Sequence, residues 1–250
     1  MEVKLVARTL ELFELYAREG RPLSLTEISR GLEVPMSSAL ALARTLAAKG
    51  YLYETKKRSG YYPTRKMLLL CRAIDAPDPI LELVRPALEA LRDRCNETVV
   101  LGRRQDLDVV YLDVHQSREA IRYNVSVGAM RPVTSNSIGK ALFAMMSPDE
   151  QMMLMERVQW NRLTPRTIVD AKQLLEDAAQ VPARGWAANT GESVPDLAAI
   201  AMPFHLAGEW YGVAIAGPLE RMEAHWASHV EALSAAVADL GNAVERQMQA

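Results

Sequence analysis

The sequence predicts an α+β protein of two unequal parts, the first mainly helical and the second built on a mainly antiparallel sheet. Up to residue 62, apolar residues recur at helical spacing and end in a hairpin-like stretch. Residues 97–216 instead contain about six short apolar or alternating runs, which are typical of strands. Between the two parts, Pro77 and Pro79 predict a stiff break between elements.

Two amphipathic helices are expected at the start of the chain. The first spans residues 3–18, where apolar residues recur every three or four positions. The second spans residues 25–32 and begins at Ser24, a residue type that accepts hydrogen bonds from the first amides of a helix. Glu27 follows three positions later, so the two side chains predict a capping box.

A third helix is expected directly after Pro35. Proline lacks the amide that a helix interior needs, but it suits the first turn of a helix. The helix spans residues 36–49, and Gly50 is a typical residue for its end. Three of its apolar residues are spaced for burial, namely Ala39, Leu42 and Leu46.

A hairpin with a basic tip is expected after the third helix. Aromatic residues flank a turn signal at Ser59 and Gly60, and residues 49–66 contain six basic residues against one acid, Glu54. Two helices joined by a tight turn and followed by such a hairpin are typical of a winged helix-turn-helix, whose second helix reads DNA. The alternative is a helical hairpin that only packs. The excess of basic residues favours the winged domain, because a solvated face normally mixes both signs of charge.

The composition is that of an ordinary soluble globular protein, with 250 residues, 49% hydrophobic and 24% charged. No signal peptide and no apolar run that could span a bilayer is evident, so we expect a cytoplasmic protein without membrane contact. The net charge is −2, but residues 1–78 carry +4 and the remainder −6, which favours phosphate contacts by the first part. Cys71 and Cys95 form no metal or redox motif and are expected to be reduced and buried on helices.

The linker and the second part are predicted from the same signals. Residues 64–74 form an apolar helix, for which a dimer contact and a place in the core are both open. A helix over residues 79–95 is expected to turn Leu83, Pro86, Ala87 and Leu91 inward. Strands are expected over residues 97–103, 108–114, 120–127, 186–191, 198–205 and 210–216. Further helices are expected over residues 137–146, from 148, over 171–183 and from 220 onward.

Two motifs that resemble catalytic or metal-binding patterns are weak. His225 and His229 are four positions apart, but no glutamate follows His225 and no third ligand is evident, so an exposed helical face is favoured. Ser137 and Lys140 match the S-x-x-K pattern of penicillin-recognising enzymes, yet K-T-G and S-D-N are absent. We therefore expect no catalysis, no metal and no cofactor. A small-molecule hydrolase using Ser137 and Lys140 is the alternative.

The stretch from Ser135 to Ser137 leads into a predicted helix whose first amides lack partners. Such a helix start attracts carboxylates, so a small organic acid is one possible guest. A second interpretation is that the three side chains simply cap the helix, and the spacing leaves both open.

Several spaced motifs together resemble the IclR family of bacterial transcription regulators over nearly the whole chain. In the first part, the resemblance rests on ARTLELFELYA, PLSLTEISRGLEVPMSSALALARTLAAKGYL and the following hairpin. In the second part, it rests on VGAMRPVTSNSIGKALFA, T-x-x-T-I from Thr164, Gly185-Trp186, Glu192, IAMPF and AIAGPLERM. The resemblance implies a winged helix-turn-helix DNA-binding domain (1–63), a linker helix (64–78) and a GAF-like effector-binding domain (79–250). It also implies dimers that pair into tetramers, and organic acids or aromatic catabolites as ligands.

Candidate site residues follow from these patterns and from the resemblance. The candidate DNA-contacting residues are Ser24, Thr26, Met36, Ser37, Ser38, Arg44, Lys56, Lys57, Arg58 and Tyr61. The candidate ligand-contacting residues are Met130, Ser135, Asn136, Ser137, Ile138, Asn189, Glu192, Ala199, Ala214 and Ala216. The chain departs from the family where it has Met36 and Ala41, positions that are often basic, and where it has Ala214 and Ala216, positions that are often serine.

The expected function is that of a ligand-responsive transcription factor that binds double-stranded operator DNA as a homo-oligomer, either a dimer or a tetramer. The alanines predict a roomy and mostly apolar pocket, in which the hydroxyl groups of a sugar acid would remain unpaired. The expected effector is therefore a small monocarboxylate with an apolar or aromatic body. Besides the hydrolase, a sensor module that has lost DNA binding is an alternative, because the recognition helix is only weakly basic.

Overall fold

The computed structural model describes residues 3–55, 60–75 and 79–248. The chain divides into two compact units, Met1–Asp78 with one hydrophobic core and Pro79–Ala250 with two. Among the helices of the described ranges, none combines the length and the apolar content that crossing a membrane requires.

The first unit consists of helices beside a small antiparallel sheet, in which the described strands have the order β1-β3-β2. In chain order, its elements are α1 (Lys4–Glu19), β1 (Leu23–Ser24), α2 (Leu25–Gly31), α3 (Met36–Ala48), β2 (Leu52–Thr55), β3 (Gly60–Pro63) and α4 (Lys66–Asp75). The predicted helix-turn-helix and hairpin are thus confirmed as structure.

The capping box predicted for α2 is present. The Glu27 amide donates to the Ser24 hydroxyl at 3.3 Å, and the Ser24 amide donates to the Glu27 carboxylate at 2.8 Å. These bonds give partners to backbone donors that the first turn of a helix would otherwise leave unpaired. The buried side of α3 is also as predicted, with Ala39, Leu42 and Leu46 in the core of the unit.

The second unit is built on one antiparallel sheet, whose six described strands have the order β6-β5-β4-β9-β8-β7. In chain order, its elements are α5 (Pro79–Cys95), β4 (Thr98–Gln105), β5 (Asp108–His115), β6 (Met130–Pro132), α6 (Ser137–Phe143), α7 (Pro148–Met155), α8 (Ala171–Ala178), α9 (Val181–Arg184), β7 (Ala187–Thr190), β8 (Leu197–Leu206), β9 (Glu209–Pro218), α10 (Leu219–Ala224) and α11 (Trp226–Met248). The predicted α+β class with a mainly antiparallel sheet is therefore confirmed.

The sheet separates two cores. α5 and α11 cover one face, and α6 with its neighbouring segments covers the other. Because successive residues of a strand point to opposite faces, Val99 and Ile215 belong to the first core, whereas Val100 and Ala214 belong to the second.

Three of the four residues of α5 that are predicted to turn inward do so, because Leu91 is in the core and Leu83 and Ala87 pack against it, but the prediction is wrong for Pro86. Val84 and Leu88 are fully buried and Leu91 nearly so, whereas Pro86 is exposed. A proline inside a helix leaves a backbone carbonyl without its hydrogen bond. On the exposed side, water can reach that carbonyl, which explains why Pro86 does not face the core.

Residues 120–127 were expected to form a strand, and this prediction is wrong. Among the described residues, β6 is the strand that pairs with β5 at this edge of the sheet. The carbonyls of this segment accept hydrogen bonds from side chains rather than from a neighbouring strand. The Thr98 hydroxyl donates to the Tyr123 carbonyl at 2.8 Å, and the Gln116 amide donates to the Val125 carbonyl at 3.3 Å. The alternating pattern arises because Tyr123 and Val125 pack into the core beneath α6.

Three predicted helices are shorter, divided or interrupted in the structure. α6 ends at Phe143 rather than at residue 146, and the helix expected over residues 171–183 is divided into α8 and α9. The terminal helix is interrupted at His225, whose φ of −120° and ψ of 17° end α10 before α11 begins. Apolar spacing continues through such interruptions, so periodicity alone does not reveal them.

The cysteines and histidines are placed differently from the prediction. Cys71 is exposed on α4, whereas Cys95 is half-buried, and burial raises the pKa of the Cys95 thiol to about 11. His225 is exposed, but His229 is buried with an unpaired Nδ1, so the expected exposed face is wrong for His229. No group of side chains in the described residues could hold a metal ion.

Candidate functional site

A cavity of about 330 Å³ lies between α6, the sheet face beneath it, and the loops that precede α6 and follow β7. Eight of the ten predicted ligand-contacting residues line this cavity, namely Ser135, Asn136, Ser137, Ile138, Asn189, Ala199, Ala214 and Ala216. Cavities of about 300 Å³ and above accommodate small molecules, so this one has the size expected for a small ligand.

The start of α6 is positioned by close backbone packing. A 3₁₀ turn, Val133–Ser135, precedes the helix, and Asn136 caps it by accepting a hydrogen bond from the Gly139 amide at 3.1 Å. A Cβ atom at Gly139 would lie 2.3 Å from the Val133 carbonyl oxygen, so no other residue fits there without moving the backbone. This contact fixes the wall of the cavity that α6 provides.

Two predicted asparagines line the cavity, but their side chains form hydrogen bonds within the protein. The Asn136 amide donates to the Tyr111 hydroxyl at 2.7 Å. The Asn189 amide donates to the Ser135 carbonyl at 2.6 Å and to the Ser193 hydroxyl at 3.0 Å, and its oxygen accepts from the Glu192 amide at 2.9 Å. Both side-chain N–H groups of Asn189 therefore already have acceptors. The residue links the loop before α6 to the loop after β7.

The cavity wall is mainly apolar on the sheet side. Ala199 on β8 pairs with Ala216 on β9, and Ala214 lies two residues further along β9 on the same face. Ile138 adds an aliphatic surface from α6. Ser137, in the first turn of α6, is buried and also lines the cavity.

Glu192, a predicted ligand contact, does not line the cavity. Its carboxylate accepts from the buried Lys140 ammonium at 2.7 Å, and Asp177 lies 3.0 Å from the same ammonium. Burial raises the pKa of Glu192 above its ordinary value, although the Lys140 charge opposes the shift. Glu192 is held in place by Thr167, whose hydroxyl donates to the Glu192 carbonyl at 2.7 Å. This residue therefore supports the loop behind the cavity.

The position of Lys140 also bears on the hydrolase alternative. In that mechanism, the lysine would have to accept a proton from the Ser137 hydroxyl. In the structure, the Lys140 ammonium is instead paired with Glu192 and Asp177, and no hydrogen bond joins it to Ser137 among the described residues. This arrangement does not support a serine–lysine nucleophile.

Met130 does not line the cavity and is 47% exposed, whereas its neighbour Arg131 does line it. Successive strand residues point to opposite faces, which explains why Met130 lies away from the cavity that Arg131 lines. The sequence reasoning also missed Tyr111, Tyr123 and Ser193, which line the cavity. Alternation along β5 could have indicated Tyr111, but Tyr123 lies on a segment that was assigned to a strand.

Tyr111 is the most enclosed of the aromatic residues that line the cavity. Burial, together with the neighbouring Tyr123, raises the pKa of Tyr111 above its ordinary value. The phenol is therefore neutral at physiological pH, so it brings no negative charge to the cavity.

The candidate DNA-contacting surface is formed by the start of α3. Met36, Ser37 and Ser38 are exposed in the first turn, and Arg44 is exposed two turns later. The opposite side of α3 packs into the core. In helix-turn-helix proteins, the N-terminal residues of the second helix reach the base edges in the major groove. The exposure of these side chains is compatible with that role.

The other predicted DNA contacts have mixed positions. Thr26 is exposed, but the Ser24 hydroxyl is already bonded to the Glu27 carboxylate at 2.7 Å. Tyr61 packs in the core of the unit with 8% of its surface exposed, because β3 is the central strand of the small sheet. A direct contact of its side chain with DNA is therefore not supported. The basic residues at the hairpin tip lie outside the described residues, namely Lys56, Lys57 and Arg58.

Comparisons with known proteins agree with this architecture. A family model described as the C-terminal region of the bacterial transcriptional regulator IclR matches residues 73–242, and the IclR helix-turn-helix model matches residues 5–56. The HTH-type transcriptional regulator BhcR of Paracoccus denitrificans is 30% identical over 222 residues, which cover 88% of this chain and 79% of BhcR.

Two solved structures share the fold. A transcriptional regulator from Rhodococcus sp. RHA1 aligns with a TM-score of 0.82 at 22% identity, over 98% of this chain and 99% of that one. An IclR homologue from Microbacterium hydrocarbonoxydans, complexed with 4-hydroxybenzoate, aligns with a TM-score of 0.80 at 20% identity, over 97% and 99%. The chain therefore belongs to the IclR family of bacterial transcriptional regulators, with an N-terminal helix-turn-helix domain for DNA and a C-terminal effector domain.

Proposed function

We propose that this regulator senses a small monocarboxylate with an apolar, for example aromatic, body, and that it does so without catalysing a reaction. The observation that carries the proposal is the alanine wall of the cavity, formed by Ala199, Ala214 and Ala216. An apolar body would be stabilised there by about 25 cal/mol for each Å² removed from water. Each hydroxyl group left unpaired against this wall would cost roughly 1–3 kcal/mol.

The Microbacterium homologue supports the proposal, because its structure holds 4-hydroxybenzoate, an acid with an aromatic body. The absence of a serine–lysine contact in the described residues supports a role in binding rather than turnover. We further assign residues 1–63 to DNA binding, 64–78 to a linker helix and 79–250 to a GAF-like effector domain, and we place the protein in the cytoplasm, where its operator DNA would be.

Calorimetry on the full chain tests the proposed effector class. We expect heat from benzoate and 4-hydroxybenzoate and none from gluconate or glyoxylate. Ala214→Trp should abolish the binding by filling the cavity, Ala216→Leu should weaken it with a smaller change of volume, and Ala224→Trp on the exposed end of α10 is the control. Tight binding of gluconate, with every aromatic acid silent, would contradict the proposal.

A second experiment tests the DNA-contacting surface. We propose that Ser38 in the first turn of α3 contributes to base recognition, so Ser38→Ala should change the preferred sequence more than the affinity for random DNA. The matched control is Thr45→Ala on the same helix, whose exposed hydroxyl donates to the Ala41 carbonyl at 2.8 Å. Selection from a random DNA library gives the measurement, and an identical consensus from Ser38→Ala and wild type would refute the role of Ser38.

A further inference from the structure

The described residues that line the effector cavity include one cation, Arg131, and no acid. The carboxylate of Glu192, a residue that does not line the cavity, is paired with Lys140. Burial raises the pKa of the Tyr111 phenol above its ordinary value, so this group is neutral at physiological pH. The charge of the cavity wall is therefore positive, and it comes from a single side chain.

Arg131 is directed toward the cavity by strand geometry. It lies opposite Val109 in the β5–β6 ladder, and Tyr111 follows two residues later on the same face of β5. The guanidinium group lies 6.0 Å from the centre of the Tyr111 ring, and one N–H group donates to the Met130 carbonyl at 2.8 Å. The aromatic face and the carbonyl together restrict the orientation of the half-buried side chain.

The hydrogen-bonding capacity of Arg131 is largely unused. A guanidinium group has five N–H donors, and the structure gives Arg131 no ion pair with an acid of the described residues. Many other arginines of the unit are paired, for example Arg157 with Asp106 and Arg184 with Asp177. An arginine held at a cavity wall without a carboxylate partner has the donor geometry that a ligand carboxylate requires.

We propose that Arg131 binds the carboxylate of the effector and thereby determines the preference of the cavity for acids over neutral analogues. The inference rests on the proposed function and specifies its anion contact. The carboxylate accepts from the guanidinium at the Tyr111 side of the cavity, while the body of the ligand lies against Ala214 and Ala216. Ser137 lines the same cavity from α6.

Calorimetry with benzoate and its neutral isostere benzamide isolates this contact. For wild type we expect benzoate to bind about tenfold to a hundredfold more tightly than benzamide, the range expected for a hydrogen-bonded charge. Arg131→Gln should reduce this ratio to nearly one by weakening benzoate alone. Arg131→Lys should retain part of the ratio, because a lysine keeps the charge but not the two parallel N–H groups.

The control is Arg103→Gln, which removes a half-exposed arginine from β4 that pairs with Glu209 and does not line this cavity. An unchanged benzoate-to-benzamide ratio in Arg131→Gln would overturn the inference and leave the proposed effector class intact. Wild-type protein that binds neither compound, nor 4-hydroxybenzoate, would instead count against both the effector class and the inference. Thermal unfolding of each variant checks that a change in the benzoate-to-benzamide affinity ratio is not caused by unfolding of the variant.

Discussion

Lys140 brings a positive charge into the interior of the second unit, where Glu192 and Asp177 are its partners. We predict that Lys140→Met destabilises the unit by about 3–5 kcal/mol, because both carboxylates would lose their buried cation. Adding Glu192→Gln to this variant should restore part of the loss. The free energy of unfolding in urea measures both effects. Lys172→Met is the control, because Lys172 is exposed and its pair with Glu176 is weak.

At the same scale, Met130 and Arg131 show where sequence reasoning loses accuracy. Ser137 and Ile138, which stand beside Gly139 and Lys140 in the motif, line the cavity. Which of two adjacent residues faces the ligand depends on strand register, and register depends on the partner strand rather than on local sequence. The alanines were easier to place, because they belong to long strands whose alternation is clear.

The capping box of α2 is a feature of a single element with a measurable effect. We predict that Ser24→Ala lowers the stability of α2 by about 1 kcal/mol at neutral pH, the typical cost of losing an N-cap side chain. Hydrogen exchange of the amides of Leu25–Gly31 reports this cost within the full chain. Unchanged protection in Ser24→Ala would show that the cap does not stabilise the helix.

The same capping box should depend on pH through Glu27. Hydrogen bonds from the Ser24 amide and hydroxyl, followed by the contact with Arg21, lower the pKa of Glu27 from 4.5 to about 2. The folded state therefore favours the ionised carboxylate. Its stabilisation is complete above about pH 4.5 and is lost as the pH falls through about 2. Glu27→Gln should flatten this dependence in hydrogen exchange of α2, and equal pH dependence in the two proteins would contradict the assignment.

Helices could be predicted better than strands for a physical reason. The caps of α2, α7 and α8 use side chains within three residues, such as Ser147 with Glu150 and Asp170 with Gln173, so the sequence contains the whole signal. A strand needs a partner that is distant in sequence. Residues 120–127 alternate as a strand would, but their carbonyls are bonded by side chains, and only tertiary structure reveals that.

At the scale of the whole molecule, the described residues of α1 and α4 expose several large apolar side chains. On α4, Leu68 is 47%, Leu69 63% and Ile74 73% exposed, and α1 exposes Leu5 and Leu10 to a similar extent. Large exposed apolar patches often mark interfaces between proteins, so we infer that α4 contributes to one. From the sequence, a dimer contact and a place in the core were equally open for the linker helix. An apolar helix is expected in both cases, so apolar content does not distinguish them.

We predict that the protein is at least a dimer at micromolar concentration, since a winged helix-turn-helix protein reads a two-fold operator with two copies. Leu69→Glu should shift the population toward monomer by placing a charge in the apolar surface of α4. Arg72→Gln on the same helix, which likewise lowers the net charge by one, is the control. Sedimentation velocity measures the distribution, and a stable wild-type monomer at these concentrations would refute the prediction.

The two-faced sheet of the second unit has a consequence for how such regulators diversify. Ala199, Ala214 and Ala216 face the cavity, whereas the residues between them on the same strands, such as Ile200 and Ile215, form the core beneath α5 and α11. Selection can therefore exchange the small residues on one side and leave the packed layer on the other side unaltered. On the proposed function, substitutions at these three positions would change the preferred ligand at little cost to folding, because the cavity wall and the packed core occupy alternate residues of the same strands.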